Sequence, residues 1–304
     1  MYVPQSAVSA FLKIARANRA YLNPQVALQR IAKRALRPQR IVPRFFPGQD
    51  KVKVKVANAV GMRIYVLEPR TRPVEGAFIY VHGGGWVNQI TVQHWQLCAQ
   101  IAHHTGRAAI MPIYPLIPFG TADKVVPAIA KIVAAAKEKF GSAALGGDSA
   151  GGQIALSAAL ETQSHPQKNT PETAKPDQLI LISPALDATF SNPRIAEAQK
   201  HDPWLGVPGC QVFLKKWAGP LALTDPKVSP LLAPAKALAR LGRVTIFTGT
   251  ADIFNPDAHA LAHKIALEGG RYNLVEEPGG LHVYPLLPTR AGAAARTEIC
   301  ALLT

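Results

Sequence analysis

Nowhere in the 304 residues do 18 apolar residues follow one another, so no transmembrane helix is expected. The start, Met1-Tyr2-Val3-Pro4-Gln5-Ser6, lacks the basic opening and long apolar stretch of a secretory signal, and a cytoplasmic protein is expected. Cysteine is scarce. Cys98, Cys210 and Cys300 are odd in number, far apart and in no metal-ligand spacing. That excludes a disulfide framework and reads as buried or free thiols in a reducing compartment. There is no internal repeat and no low-complexity segment. Acidic residues are few: 19 Asp and Glu stand against 34 Lys and Arg, a net charge of +15. No aromatic-interleaved basic stretch or nucleic-acid motif accompanies the excess, so DNA or RNA binding is not indicated. The preferred reading is a solvated basic surface, and the functional alternative is attraction to anionic lipid or acidic partners.

What is present is material for one large α/β domain over residues 1–304, with 48% hydrophobic and 17% charged residues. Residues 6–38 read as two helices. In the first, Val8, Phe11, Leu12 and Ala15 fall near helical spacing opposite Lys13, Arg16 and Arg19. In the second, Asn23 reads as cap and Pro24 as first helical residue, with Leu28 and Ile31 on one side among Arg30, Lys33, Arg34 and Arg37. Strands are expected over 51–56, 62–67, 77–82, 108–113, 143–145, 179–183, 244–248 and 273–276. Helices are expected over 91–105, 122–139, 153–160, 257–268 and 290–302. Residues 162–176 read as a polar surface loop. Residues 188–227 carry Trp204 and Trp217 but no clear strand. The alternation argues for a mostly parallel sheet with helices on both faces.

Two stretches carry chemistry. Gly147-Asp148-Ser149-Ala150-Gly151-Gly152 contains G-x-S-x-G between a short apolar run and a helix-forming run. In a nucleophile elbow a strand turns sharply into a helix and one serine stands at the apex, with small neighbours that let the elements approach. The second stretch, His82-Gly83-Gly84-Gly85-Trp86, follows the β-rich Ala77-Phe78-Ile79-Tyr80-Val81. Consecutive glycines after a strand expose backbone N–H groups, which stabilise the oxyanion of acyl transfer.

With both motifs in this order the chain resembles the hormone-sensitive-lipase-like esterases of the α/β-hydrolases, over roughly residues 45–304. The resemblance implies an eight-stranded, mostly parallel sheet and a helical cap built from about 1–45 and 188–227. It implies Ser149 as nucleophile and Gly84, Gly85 and Ala150 as the oxyanion hole. It implies no metal and no cofactor. Tyr114-Pro115-Leu116-Ile117-Pro118-Phe119 resembles a family segment that ends in Glu, so Phe119 is a departure. His201-Asp202-Pro203-Trp204-Leu205 and 225–231 resemble landmarks around the second part of the cap.

The acid and the histidine should follow the serine in that order. Asp252 lies on a loop just after a strand. Its rival, Asp257, has a structural reason to be acidic, since Asn255-Pro256-Asp257 reads as a helix start with Asn255 as cap. The spacing of Gly249, Asp252, Phe254 and Asp257 also resembles the family pattern in which the first acid is catalytic, and Asp252 is preferred. His282 follows the last strand on a glycine-containing loop, as a triad base must. Of the other histidines, His103, His104, His259 and His263 fall on expected helices. His82 reads as shaping the glycine loop, and His94 and His201 lie near the cap or the entry. Asp148 reads as a structural acceptor. Trp86 is either a pocket wall or core.

The expected function is a serine carboxylesterase acting on short-chain esters. A lactonase or amidase would use the same residues, and a basic peripheral membrane-binding protein is the alternative from another class. Oligomeric state is not legible.

Overall fold

A computed structural model describes residues 2–37, 42–164 and 175–304. The N-terminal segment forms three helices, α1 (Gln5–Ile14), α2 (Arg19–Leu22) and α3 (Pro24–Ala35), where two were expected. Asn23 caps α3: its side-chain oxygen accepts from the N–H groups of Gln25 and Val26 at 2.9 and 3.2 Å. The buried stripes are narrower than the spacing suggested. In α1 only Leu12 is buried and Phe11 is 67% exposed; in α3 Ala27 and Ile31 are buried, while Leu28 turns outward.

The body alternates as expected. In chain order come β1 (Val52–Ala59), β2 (Met62–Pro69), β3 (Ala77–Val81), α4 (Val92–Thr105), β4 (Ala108–Ile113), α5 (Ala122–Phe140), β5 (Ala143–Asp148) and α6 (Ala150–Ser164). Then follow β6 (Gln178–Ile182), α7 (Ile195–His201), α8 (Val207–Ala218), α9 (Ala235–Ala239), β7 (Arg243–Ala251), α10 (Asn255–Leu267), β8 (Arg271–Leu281) and α11 (Arg290–Leu303). Most of the loop expected at 162–176 lies outside the described residues, because α6 runs to Ser164 and description resumes at 175. Asn255 does not cap α10. It is the first helical residue, and its amide donates to Glu276 and Thr248 instead.

The eight strands form one sheet in the order β1-β2-β4-β3-β5-β6-β7-β8. β1–β2 and β2–β4 pair antiparallel and all other neighbours pair parallel. A buried parallel strand must be apolar on both faces, and β3 is. Ala77, Ile79 and Val81 join the core under α5, α6 and α10, whereas Phe78 and Tyr80 join the core under α4 and α11. Because β3, β5, β7 and β8 run parallel, their C-terminal ends open on the same edge, where sheets of this kind bind ligands.

The turn from β5 into α6 is packed to the limit. A methyl group on Gly151 would stand 2.0 Å from the carbonyl oxygen of Val81, and one on Gly147 would stand 2.5 Å from that same oxygen. A second tight crossing joins α2 to α8, where a methyl group on Gly209 would meet the carbonyl oxygen of Ala20 at 2.1 Å. Gly151→Ala is therefore expected to destabilise by about 3 kcal/mol, since backbone cannot yield as a side chain can and the helix-propensity gain of about 1 kcal/mol does not offset it. Urea unfolding with an unchanged m-value checks this, and a neutral or stabilising result would contradict the close approach.

Candidate active site

Ser149 sits between β5 and α6 with φ of 52°, a left-handed conformation that costs a non-glycine residue energy. Bonds on both sides hold it there. Its N–H donates to the Ile182 carbonyl at 2.8 Å, and its own carbonyl accepts from the N–H groups of Gln153 and Ala185. The hydroxyl is thereby lifted off the sheet edge.

His282 follows β8 and Asp252 follows β7. His282 Nε2 lies 3.0 Å from Ser149 Oγ, and His282 Nδ1 lies 2.9 Å from Asp252 Oδ2. With a carboxylate at Nδ1, that nitrogen carries the proton and Nε2 is free to accept from the hydroxyl. All three are buried: Ser149 is 8% exposed, His282 4% and Asp252 0%. The imidazole is wedged edge-on between Phe254 and Trp204, with ring centroids 5.5 and 5.8 Å away. The other Asp252 oxygen accepts from the Phe254 N–H at 3.0 Å. Burial alone would pull the His282 pKa down, but the Asp252 charge and hydrogen bond outweigh it, and the net shift is upward from 6.5.

Asp257 is elsewhere. It is buried in the first turn of α10, accepts from the Asn192 amide at 3.0 Å, and is pushed up to about 7 by burial and then by the Asp187 charge. A carboxylate that signals in sequence only as part of a landmark lies beside the pair: Asp202. Its oxygens accept from the N–H groups of Trp204, Leu205 and Ile253. Burial, then the nearby Asp252 charge, raises its pKa.

The glycine loop leaves β3 beside the elbow, and Asp148 fastens it there. Its carboxylate accepts from the Gly83 N–H at 2.8 Å and the Tyr80 hydroxyl at 2.7 Å. His94 faces it at 3.3 Å. Because His94 Nδ1 accepts from the Thr91 N–H at 2.9 Å, its Nε2 is the protonated nitrogen. Burial pushes the Asp148 pKa up, but His94, Tyr80 and the Gly83 N–H outweigh it and hold it below the usual carboxylate value. His82 stacks on Tyr114 at 4.6 Å and its Nδ1 donates to the Gly83 carbonyl. Burial and then the His94 charge lower its pKa to about 4, so it stays neutral.

Gly84, Gly85, Ser149 and His282 line a cavity of ≈ 550 Å³, with Tyr21 and Trp204 across from them. Ala150 is fully buried as the first residue of α6, where a helix N–H has no partner inside its own helix. Trp86 is not a wall of this cavity. Its indole stacks on Trp217 at 5.9 Å, and both indole N–H groups donate to Gln153 Oε1, at 3.2 and 2.9 Å. Phe119 is 67% exposed and is not part of this cavity's wall. His201 ends α7 on the surface near Glu197.

The alpha/beta hydrolase fold family matches residues 78–286, well over half of the chain. The chain belongs to the α/β-hydrolase family. A triacylglycerol lipase of Mycobacterium tuberculosis is 30% identical over 232 residues, covering 75% of this chain and 46% of the relative. An esterase of Acinetobacter venetianus is 29% identical over 208 residues, 66% of each chain. The chain thus spans about half to two thirds of the length of these two curated relatives. Among solved structures, a Staphylococcus aureus protein described as a candidate esterase superposes with a TM-score of 0.84 at 26% identity, covering 94% of both chains. A hormone-sensitive lipase from a metagenome library gives a TM-score of 0.80 at 20% identity, covering 100% of this chain and 99% of that one, a likeness of fold. Among the described residues, no helix is long and apolar enough to cross a membrane.

The imidazole makes a direct test. Titrated by NMR, His282 should protonate above 6.5, and Asp252→Asn should lower its pKa because the anion that stabilises the imidazolium is gone. Asp257→Asn should leave the titration unmoved. An equal response to both variants would separate His282 from Asp252.

Proposed function

We propose that the chain is a serine carboxylesterase of the hormone-sensitive-lipase-like branch, hydrolysing short-chain esters through an acyl-enzyme. One observation carries the reading: His282 hydrogen-bonds Ser149 on one side and Asp252 on the other, inside a cavity walled by the glycine loop. Neutral His282 takes the Ser149 proton as the oxygen attacks the ester carbonyl. Asp252 holds the imidazole tautomer and stabilises the imidazolium. The N–H groups of Gly84, Gly85 and Ala150 receive the oxyanion, each lowering the barrier by about 3 kcal/mol. The alcohol leaves with the proton from His282, and a water activated by the same base releases the acid. The relatives named triacylglycerol lipase and esterase support an ester as substrate. A lactone or amide carbonyl would enter the same steps.

Ser149→Ala should fold and lose ester hydrolysis by about 10⁴-fold or more, and a fluorophosphonate probe should label Ser149 alone. Asp252→Asn should lower kcat far more than Asp257→Asn. Labelling at another residue, or the reverse ranking of the two acids, would reject the assignment.

The segments at about 1–45 and 188–227 act as a cap in this reading, since Tyr21, Trp204 and Leu205 supply cavity wall. A cavity of ≈ 550 Å³ falls within the range of small-ligand sites, about 300–1,000 Å³. Each added methylene gains about 0.8 kcal/mol of burial while room lasts, and beyond that overpacking costs roughly 1–3 kcal/mol. A series of 4-nitrophenyl esters should therefore give maximal kcat/KM at short acyl chains, roughly acetyl to hexanoyl. A preference for emulsified long-chain triglyceride would overturn the closed cap. It would favour instead an interfacial role for the basic N-terminal helices, on which Phe11 and Ile14 are 67% and 83% exposed.

A further inference from the structure

Asp202 is a buried carboxylate beside the triad that the proposed mechanism does not use. It stands on the connection from α7 to α8, in the second segment of the proposed cap, and is 8% exposed. Its two oxygens reach in different directions. Oδ1 accepts from the N–H groups of Trp204 and Leu205 at 2.7 and 2.9 Å, which folds its own loop. Oδ2 accepts from the Ile253 N–H at 3.0 Å, across to the loop that follows β7. Ile253 is the residue after Asp252. One side chain therefore joins the cavity wall to the loop of the proposed triad acid.

Both loops converge on His282. Asp252 holds its Nδ1 at 2.9 Å, and Phe254 packs against the ring from the same loop. Trp204 packs edge-on against it from the other, with centroids 5.8 Å apart, and is also cavity wall. Within the acid loop, Asp252 accepts from the N–H groups of Phe254 and Asn255, through its carboxylate and its carbonyl. Those bonds shape the loop but do not tie it to its neighbour. Among the described residues, the bond from Ile253 to Asp202 is the one hydrogen bond between residues 202–205 and 252–254. A carboxylate suits the post, because two oxygens can accept three N–H groups at once. It also stands where a carboxylate is disfavoured: burial, then the Asp252 charge, raises its pKa. Groups held against their electrostatic preference gather at functional sites.

We propose that Asp202 is a positioning residue of the triad: through the Ile253 N–H it sets where Asp252 stands, and through the Trp204 turn it fixes the plane of the His282 ring. This rests on the esterase reading and adds a residue to it. Asp202 touches neither the substrate nor the reacting atoms. It acts through Asp252 and Trp204, so its removal misplaces the base without removing any group that reacts.

Two variants of the full chain test it. Asp202→Asn keeps one oxygen for Trp204 and Leu205 but turns an NH₂ toward the Ile253 N–H. Asp202→Ser keeps a shorter acceptor for the local turn and drops the bridge, and it serves where the Asn variant does not fold. Asp187→Asn is the control, a buried carboxylate whose hydrogen bonds stay within residues 187–191. On 4-nitrophenyl butyrate the Asp202 variants should lose about tenfold to a hundredfold in kcat, with KM within about twofold, as misplacement of a reacting group does. Labelling of Ser149 by a fluorophosphonate should slow in parallel. The far-downfield proton NMR signal of His282 Nδ1–H, held by Asp252, should shift or broaden in both variants and stay in place in Asp187→Asn. An unchanged kcat and signal would overturn the proposal and leave the esterase reading standing. So would a rise in KM alone, which makes Asp202 wall only, or an equal loss in Asp187→Asn, which makes the effect one of stability. No turnover and no labelling of Ser149 in the wild-type chain would strike down both.

Discussion

The carboxylate of Asp148 is the contact that gathers the sheet edge carrying the proposed site. It sits one residue before Ser149, at the end of β5, and reaches sideways to the glycine loop leaving β3. That bond joins the Trp86–Gln153 contact in fixing the loop to the elbow, and the proposed oxyanion site must be fixed to be useful, because donors that reorganise during reaction lose most of their effect. The position is demanding. A buried carboxylate needs its charge compensated, and here a tyrosine hydroxyl, a backbone N–H and an imidazole share the task. The imidazole comes from α4 on the opposite face of the sheet to α6, so a single ion ties both layers to the edge between them.

A second constraint is backbone strain gathered at one spot. Ser149, Ser183 and Val283 all adopt left-handed φ, of 52°, 44° and 52°, although none is glycine. The Val283 N–H donates to Ser183 Oγ at 3.0 Å, and the Ser183 N–H donates to the Phe247 carbonyl. Each is unfavourable alone, by about 1–3 kcal/mol, and persists because parallel strands on either side leave no room to relax. Ser149 is itself the proposed nucleophile and Val283 adjoins the proposed base His282, so the sheet supplies rigidity at the proposed site.

Much of this was legible because it is local. G-x-S-x-G between a strand run and a helix run announces its turn, and the expected β/α alternation matches the elements found. Asp252 could be ranked over Asp257 from the position of each relative to strand end and helix start. What escaped was lateral. Nothing in the spacing of α1 says that Phe11 faces outward while Leu12 is covered, because that depends on which neighbour arrives. Asn255 has the residue type of a cap, but tertiary partners on β7 and β8 claim its amide. Trp86 follows a glycine motif at the cavity, yet an acceptor on α6 turns its indole inward. Asp202 is 50 residues from Asp252 in the sequence, and only the folded chain brings its carboxylate against the Ile253 N–H.

The Gln153 amide has a consequence for how the molecule admits its ligand. Its oxygen takes two indole N–H groups, from Trp86 and from Trp217 on α8, while its nitrogen donates to Ser157 and to the Lys227 carbonyl. Lifting α8 would strand the buried Trp217 indole N–H, at about 1–3 kcal/mol. α2 is locked to α8 by the backbone contact at Gly209. In the proposed cap reading, these contacts favour a fixed aperture over Ser149 rather than a hinged door. Its shape is set when the chain folds, little ordering is left for the moment of binding, and discrimination between ligands acts as a sieve before any closure could reward the right one.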